Sequence, residues 1–165
     1  MPYELKVDGM AEISATLEKL EQDAPKVAAR ALYEGAGVMR TELEKAADGI
    51  KTEKFQGKVP EGKTRLPSPE EKAVVQRGAI GIAKFAKNGT EVDTSVGFSK
   101  AGYTKMAGKT VPIALIANSI NSGTSFMQKQ PFFRKGKTSG GKKALNVMER
   151  AIEKMFEDKI KNGGK

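Results

Sequence analysis

Residues 57–64, Gly-Lys-Val-Pro-Glu-Gly-Lys-Thr, are a place in this chain where residue types and spacing could support chemistry. They match G-x-x-x-x-G-K-T, the loop whose backbone N–H groups and lysine hold the phosphates of a nucleotide. That chemistry needs a buried strand before the loop and a helix that begins at the Lys-Thr pair. Here residues 51–54 are polar, and Pro67 and Pro69 disfavour the helix. The flanking residues therefore favour a chance match in a Lys- and Gly-rich loop.

Other residue types that perform catalysis are scarce. The 165 residues include no His, Cys or Trp, which removes the commonest general base, the thiol nucleophile and the usual zinc ligands. Glu42 and Glu44 are two positions apart on a predicted helix, so their carboxylates point in different directions. Residues 88–90 match a glycosylation pattern, but no secretory signal is recognised and they are better read as a hairpin turn. We therefore expect no enzyme activity, no cofactor and no metal site.

The excess positive charge is concentrated in one span of the chain. The net charge is +9, and residues 94–148 contain nine Lys or Arg but no Asp or Glu. The other residues balance, with 20 basic and 20 acidic side chains, because the whole chain has 29 and 20. Such a field attracts polyanions or an acidic protein surface, and a solvated face explains it equally well. The candidates for a basic surface are Lys100, Lys105, Lys109, Lys129, Lys135 and Lys137.

Helical periodicity marks both ends of the chain. Apolar residues recur every three or four positions from Met10 to Ala47, and residues 23–25 suit a break or a fresh helix start. A second helix is predicted over residues 142–161, with a buried apolar stripe. The members of that stripe are Leu145, Met148, Ile152, Met155, Phe156 and Ile160. A short strand over residues 3–7 precedes the first helix, and residues 162–165 are expected to fray.

Between these helices the sequence predicts loops and one hairpin. Residues 48–69 have few apolar side chains and three prolines, which predicts a long mobile loop, and residues 68–71 suit a helix cap. Residues 80–98 alternate between apolar and polar on either side of an Asn-Gly pair, as in a β-hairpin. Residues 101–109 read as a second loop, and residues 110–117 fit either a short helix or a strand.

An apolar and basic stretch lies just before the C-terminal helix. Residues 122–126 are Ser-Gly-Thr-Ser-Phe, and residues 130–134 are Gln-Pro-Phe-Phe-Arg. Aromatic and Arg side chains dominate the energy of protein interfaces, so this stretch is predicted to dock onto another protein. On an extended segment adjacent side chains point to opposite faces, so one of Phe132 and Phe133 should be buried and the other available. The partner-binding candidates are Phe126, Pro131, Phe132, Phe133 and Arg134.

The order of these elements resembles a family of phage structural proteins. These are the neck or tail-completion proteins of long-tailed bacteriophages and prophages, which act where the head joins the tail. The resemblance rests on a long first helix, a variable loop and a hairpin ending in Val-Gly-Phe at residues 96–98. Residues 122–124, Ser-Gly-Thr, and 131–133, Pro-Phe-Phe, then precede the last helix, and this pairing is the sharpest match.

The chain departs from the family at two places. Relatives often carry an acidic residue before Gly-Thr, where this chain has Asn121-Ser122, and a Tyr-rich segment where residues 111–116 are aliphatic. The resemblance implies a non-enzymatic protein that assembles as a homo-oligomeric ring around the DNA channel and contacts neighbouring connector or tail proteins. It also implies a place in the virion, after synthesis in the bacterial cytoplasm.

Together these patterns predict one α+β domain with a small, mainly antiparallel sheet packed against a long N-terminal helix and a C-terminal helix. The function predicted is virion assembly at the head–tail junction, by self-association and docking. A small basic nucleic-acid-binding protein, with weak and salt-sensitive attraction to DNA, is the alternative. An enzyme that uses the phosphate-loop match is a weaker one. No membrane association is expected, because the longest apolar run, residues 111–117, is far too short to span a bilayer.

Overall fold

The computed structural model describes residues 10–77, 80–88, 91–98 and 102–163, and it has an α+β fold. The described helices are α1 (Met10–Asp48), α2 (Pro69–Arg77), α3 (Ile113–Ser122) and α4 (Phe132–Gly163). The strands are β1 (Gly81–Ile82), β2 (Ala86–Asn88), β3 (Glu91–Asp93), β4 (Val96–Gly97), β5 (Tyr103–Met106) and β6 (Lys109–Pro112). The predicted fold class is confirmed: small antiparallel sheets pack with the two long helices. The strand predicted over residues 3–7 lies outside the described residues.

Helix α1 is one continuous helix of 39 residues, so the break suggested at residues 23–25 does not occur. Pro25 lies inside it. A proline removes one backbone hydrogen bond and crowds the preceding turn. The helix continues nevertheless, because α1 packs against α4 along much of its length. The tertiary contacts therefore outweigh the local cost of the proline.

Helix α4 begins at Phe132, ten residues or nearly three helical turns before the start predicted near Lys142. Small residues face α1 along it: Gly136 and Gly140 are buried, and Ala144 is 3% exposed. A Cβ atom added at Gly136 would lie 3.0 Å from the Cα atom of Leu43 on α1. Three glycines in ten residues obscured the helical pattern in the sequence, yet two of them are what lets the helices approach closely.

The apolar stripe predicted to be buried on α4 is only partly buried. Leu145 is 59% exposed and Ile160 is 62% exposed. Met148, Ile152, Met155 and Phe156 are half-buried. The prediction is wrong for Leu145 and Ile160 because the face that packs against α1 is formed by the small residues and by Met148, which lies against Gly35 of α1.

A carboxylate lies at the α1–α4 contact. Glu42 is 8% exposed, and its Oε1 accepts hydrogen bonds from the Lys143 ammonium at 3.0 Å and from the Lys45 ammonium at 3.2 Å. The hydrogen bond from Lys143, supported by Ser139 and Lys45, lowers the pKa of Glu42 from 4.5 to about 2. The charged carboxylate therefore stabilises the contact between the two helices.

This lowered pKa predicts how stability depends on pH. The contribution of Glu42 is present above its ordinary pKa of 4.5 and is lost as the pH falls through about 2. We expect the melting temperature of the wild-type protein to fall more steeply across that window than that of Glu42→Gln, which cannot titrate there. Thermal melts by circular dichroism at several acidic pH values measure the difference. Parallel curves for the two proteins would contradict this assignment.

The predicted hairpin over residues 80–98 is present and contains a bulge. Strand β1 pairs with β4, and β2 pairs with β3, both antiparallel. Three residues, 83–85, stand opposite two, 94–95, so the register shifts by one between base and tip. The alternation of half-buried and exposed residues from Val92 to Val96 confirms the predicted face. Asn88 pairs with Glu91, and the predicted Asn-Gly turn falls partly on residues 89–90, which lie outside the described residues.

Residues 103–112 form a second hairpin, so the loop predicted over residues 101–109 is wrong. Strands β5 and β6 pair from Tyr103 with Pro112 to Met106 with Lys109. Ala107 and Gly108 between them have φ values of 48° and 77°. Two residues at positive φ fit the two-residue turn that suits the twist of a hairpin. The apolar run that follows is divided: it is strand up to Pro112 and helix α3 from Ile113.

The core lies where α1, α2, α3 and the start of α4 meet. Its central side chains are Ala47, Ile50, Val75, Ile116, Ala117, Ile120, Met127 and Phe132. The predicted cap of α2 is confirmed: the Glu71 N–H donates to Ser68 Oγ at 3.1 Å, and the Ser68 N–H donates to Glu71 Oε2 at 2.7 Å. This reciprocal cap fixes the start of the short helix that carries Val75 into the core.

Candidate functional site

The candidate site is the connector turn, residues 123–131, which joins α3 to α4. It begins at Gly123, whose φ of 78° favours glycine and whose N–H donates to the Ser119 carbonyl at 2.9 Å. A Cβ atom at Gly123 would lie 3.1 Å from the backbone nitrogen of Lys129. The chain therefore reverses tightly here, and the two ends of the turn are in contact.

Thr124 organises the inside of the turn. Its Oγ1 accepts from the N–H of Met127 at 3.0 Å, and its own N–H donates to the Met127 carbonyl at 3.0 Å. A hydroxyl that bonds backbone groups a few residues ahead stabilises a turn locally. Met127 is 3% exposed, whereas Phe126 beside it is 49% exposed. The turn is thus anchored through Met127 and presents Phe126 to solvent.

A second segment holds the turn from the side. The N–H of Arg65 donates to the Phe126 carbonyl at 2.9 Å, and the N–H of Gln128 donates to the Arg65 carbonyl at 2.8 Å. These two bonds form a short parallel bridge between Arg65 and Met127. Arg65 therefore holds the Phe126 carbonyl on one side of Met127 and the Gln128 N–H on the other side.

The end of the turn is tied to the segment that follows α1 and to α3. The amide side chain of Gln130 accepts from the Lys51 N–H at 2.8 Å and donates to the Lys51 carbonyl at 2.7 Å. Asn121, the penultimate residue of α3, accepts from the Phe133 N–H at 3.1 Å. That bond satisfies one of the N–H groups that the first turn of α4 leaves without a helical partner. The start of α4 is therefore capped from another helix.

The ends of the 48–69 segment are held in place. The Arg65 guanidinium makes two bonds of 2.7 Å to the Glu71 carboxylate, and these raise the pKa of Arg65. The Leu66 N–H donates to Glu53 Oε1 at 2.7 Å. Residues 54–58 and 60–64 are exposed. The mobility of this middle part stays a prediction.

The phosphate-loop match, residues 57–64, does not have the geometry that nucleotide binding needs. No strand leads into it, since residues 50–56 are irregular, and Arg65 continues as an extended bridge residue. The next helix, α2, begins at Pro69, after the Lys63-Thr64 pair. The helix therefore starts five residues after Thr64, and its N–H groups come too late in the chain to meet phosphates held by Lys63-Thr64.

The structure separates the predicted partner-binding residues into three groups. Phe126 and Arg134 are exposed. Phe132 is 2% exposed and belongs to the core. Pro131 and Phe133 are half-buried, and the Phe133 ring lies 4.8 Å from that of Phe132 and 5.7 Å from that of Phe98. The pair does not lie on an extended segment, because α4 begins at Phe132.

The predicted basic residues are spread over two regions. Lys105 and Lys109 lie on the β5–β6 hairpin, and Lys129, Lys135 and Lys137 lie in the connector turn or the first turns of α4. All five are exposed. Lys100 lies outside the described residues. Arg134 and Lys142 are exposed as well, so four exposed basic side chains lie in the N-terminal third of α4.

Sequence reasoning placed Thr124 in the candidate stretch but did not predict the hydrogen bonds that support the turn. Thr124, Asn121, Gln130 and Arg65 all bond to backbone groups, and two of those bonds connect residues 79 positions apart. Thr124 after a glycine gave a local signal for a turn. The contacts of Gln130 and Arg65 gave none, because they depend on the fold.

Searches for similar proteins found no matching family model, curated protein or solved structure. Among the residues that the structure describes, no group of three or more acidic side chains is placed to hold a metal ion. None of the described helices is both long and apolar enough to cross a membrane.

Proposed function

We propose that this protein is a structural virion-assembly protein of the phage head–tail junction. It acts by self-association and by docking onto neighbouring connector or tail proteins. The proposal rests on the resemblance of residues 122–124 and 131–133 to the neck and tail-completion family. It also rests on what the connector turn offers a partner.

The observation that carries the proposal is the exposure of Phe126 on a turn that is already fixed. Its ring is 49% exposed, while Met127 next to it is buried and backbone bonds to Arg65 hold both sides. A partner that covers Phe126 would bury its apolar surface. The loss of conformational entropy on binding would be small, because the turn is already ordered. Arg134, exposed in the first turn of α4, adds a side chain of the type that interfaces prefer.

The alternative function is a basic protein that binds nucleic acid. It is favoured by the exposed side chains of Lys129, Arg134, Lys135, Lys137 and Lys142. Binding of that kind is non-specific and falls steeply with added salt. A salt series on binding to duplex DNA separates it from the assembly role, in which DNA binding is dispensable.

The test is complementation of a phage or prophage that lacks this gene by Phe126→Ala. A central aromatic side chain of an interface contributes about 2 kcal/mol or more, or roughly 30-fold in affinity. We expect heads and tails that fail to join, seen by electron microscopy, and few infectious particles. The melting temperature should stay near that of the wild type, because the ring is exposed.

Phe85→Ala is the matched control. Phe85 is 39% exposed on the hairpin bulge and packs only beside Tyr33 among the aromatic pairs described. We expect this variant to complement. Full complementation by Phe126→Ala would overturn the assignment of the connector turn as the docking site.

A further inference from the structure

The outer face of α4 combines exposed apolar side chains with an ordered pattern of charge. Arg134, Thr138, Lys142, Leu145 and Glu149 follow one another at spacings of four or three, which places them in one row. The row continues through Ile152, Phe156 and Ile160. It lies opposite the face of Gly136, Gly140 and Ala144 that packs against α1.

This row is apolar enough to be an interface. Leu145 is 59% exposed and Ile160 is 62% exposed, and Ile152 and Phe156 between them are half-buried. A surface helix ordinarily places charged or polar residues on its outer side. Four large apolar side chains in one row of a solvent-facing helix are therefore a candidate contact surface.

The charges along the row are opposite in its two halves. Before Leu145 the exposed charges are basic, at Arg134 and Lys142. After it the row and its edge carry Glu149, Glu153 and Glu157, all exposed. Basic side chains also occur in this half: Lys159 and Lys161 are paired with Asp23 and Glu157 of the same chain. Arg150 and Lys154 are exposed too, but their spacing from Leu145 and Glu149 places them outside the row.

This charge pattern is complementary to itself when two copies of α4 lie side by side in opposite directions. Lys142 lies three residues before Leu145, and Glu149 lies four residues after it. When two antiparallel copies cross at Leu145, Lys142 of one copy therefore stands opposite Glu149 of the other. By the same spacing Arg134 stands opposite Phe156 and Glu157, and Ile152 stands opposite Thr138. A guanidinium over an aromatic ring, beside a carboxylate, is a favourable contact.

We infer that a second copy of this chain docks on the outer face of α4, antiparallel, with the two-fold axis near Leu145. Such an interface uses the same patch on both copies, as two-fold dimers do. A two-fold contact closes as a dimer and does not by itself build a ring, so the inference goes beyond the self-association in the proposed function. It concerns α4 alone and does not involve Phe126.

The first test is the mass of the protein in solution by sedimentation or light scattering. We expect twice the chain mass of 17.7 kDa at high micromolar concentration. Leu145→Asp should give the single-chain mass with an unchanged circular dichroism spectrum. Leu115→Asp is the matched control, since Leu115 on α3 is 55% exposed but lies outside the row, and it should remain dimeric. A single-chain mass for the wild type, or equal loss in both variants, would overturn the inference.

The second test decides the register by charge reversal. Lys142→Glu places two acidic side chains opposite each other twice per dimer, and Glu149→Lys places two basic ones, so each variant alone should dimerise at least tenfold more weakly. Mixed together, the two variants should pair, because each contact then joins opposite charges. The double variant Lys142→Glu/Glu149→Lys should dimerise like the wild type. Lack of recovery in both cases would show that the antiparallel register is wrong.

Failure of these tests and failure of the proposed function can be told apart. A single-chain mass together with a Phe126→Ala defect in joining heads to tails removes the α4 interface and leaves the proposed function. A dimer that behaves as expected, with full complementation by Phe126→Ala, keeps the α4 interface and removes the docking turn.

Discussion

Phe132→Ala is expected to lower the free energy of unfolding by about 3–5 kcal/mol. Phe132 is 2% exposed and packs in the core with Ile120 and Met127. Truncating a buried ring removes its apolar burial and leaves a cavity. Because a domain of this size is stable by only about 5–15 kcal/mol, the variant should be partly unfolded near its working temperature. Urea titration followed by circular dichroism measures the loss.

Two other phenylalanines of the same region provide the comparison. Phe133 is half-buried against Phe98, so Phe133→Ala should cost less than Phe132→Ala. Phe126→Ala should change the free energy of unfolding by no more than about 0.5 kcal/mol, as surface substitutions usually do. Equal losses at Phe126 and Phe132 would mean that the connector turn contributes to stability as a whole, and that Phe126 is not simply presented to solvent.

The parts of the fold that could be predicted from the sequence depend on local patterns. Ser68 and Glu71, three positions apart, form the cap of α2 because both of its hydrogen bonds are made within one turn of chain. The alternation from Val92 to Val96 predicted a strand face, because side chains of a strand alternate between faces. The α+β class followed from these elements and from the apolar repeat of three or four positions that is sustained along α1.

The elements that could not be predicted are those in which distant residues overrule a local signal. Pro25 reads as a break in α1, but the α1–α4 contact keeps the helix continuous. The helix predicted from residue 142 left out Gly136, Gly140 and Gly141, but all three are helical and two of them are buried against α1. Residues 103–112 read as a loop in part because Ala107, which takes a positive φ, is not a typical turn residue.

The candidate site was predictable in place but not in detail. The Gly-Thr turn and the position of the candidate stretch before the last helix follow from residue types in sequence. The division between exposed Phe126 and Arg134 and buried Phe132 does not, because it depends on where α4 begins. The supporting contact between Gln130 and Lys51 joins residues 79 positions apart and has no sequence signal.

The close approach of α1 and α4 leads to two substitutions of opposite sign on the same helix. At Gly141 an added Cβ meets nothing within 4 Å, so Gly141→Ala should stabilise the protein by about 0.5–1 kcal/mol through the better helix propensity of alanine. Gly141 is half-buried, and a methyl group added there would displace no neighbouring atom. The change in stability of this variant therefore measures only the difference in helix propensity between alanine and glycine.

At Gly136 the same methyl group would lie 2.6 Å from Leu43 Cδ2, 3.0 Å from Leu43 Cα and 3.2 Å from the Glu42 carbonyl. The Leu43 side chain can rotate, but the backbone atoms cannot move without separating α1 from α4. Overpacking of this kind costs about 1–3 kcal/mol and exceeds the gain in propensity, so Gly136→Ala should destabilise the protein and Gly136→Val should do so more strongly. Denaturant titrations of the three variants beside the wild type measure both signs. Stabilisation by Gly136→Ala equal to that by Gly141→Ala would show that α4 lies farther from α1 than these distances require.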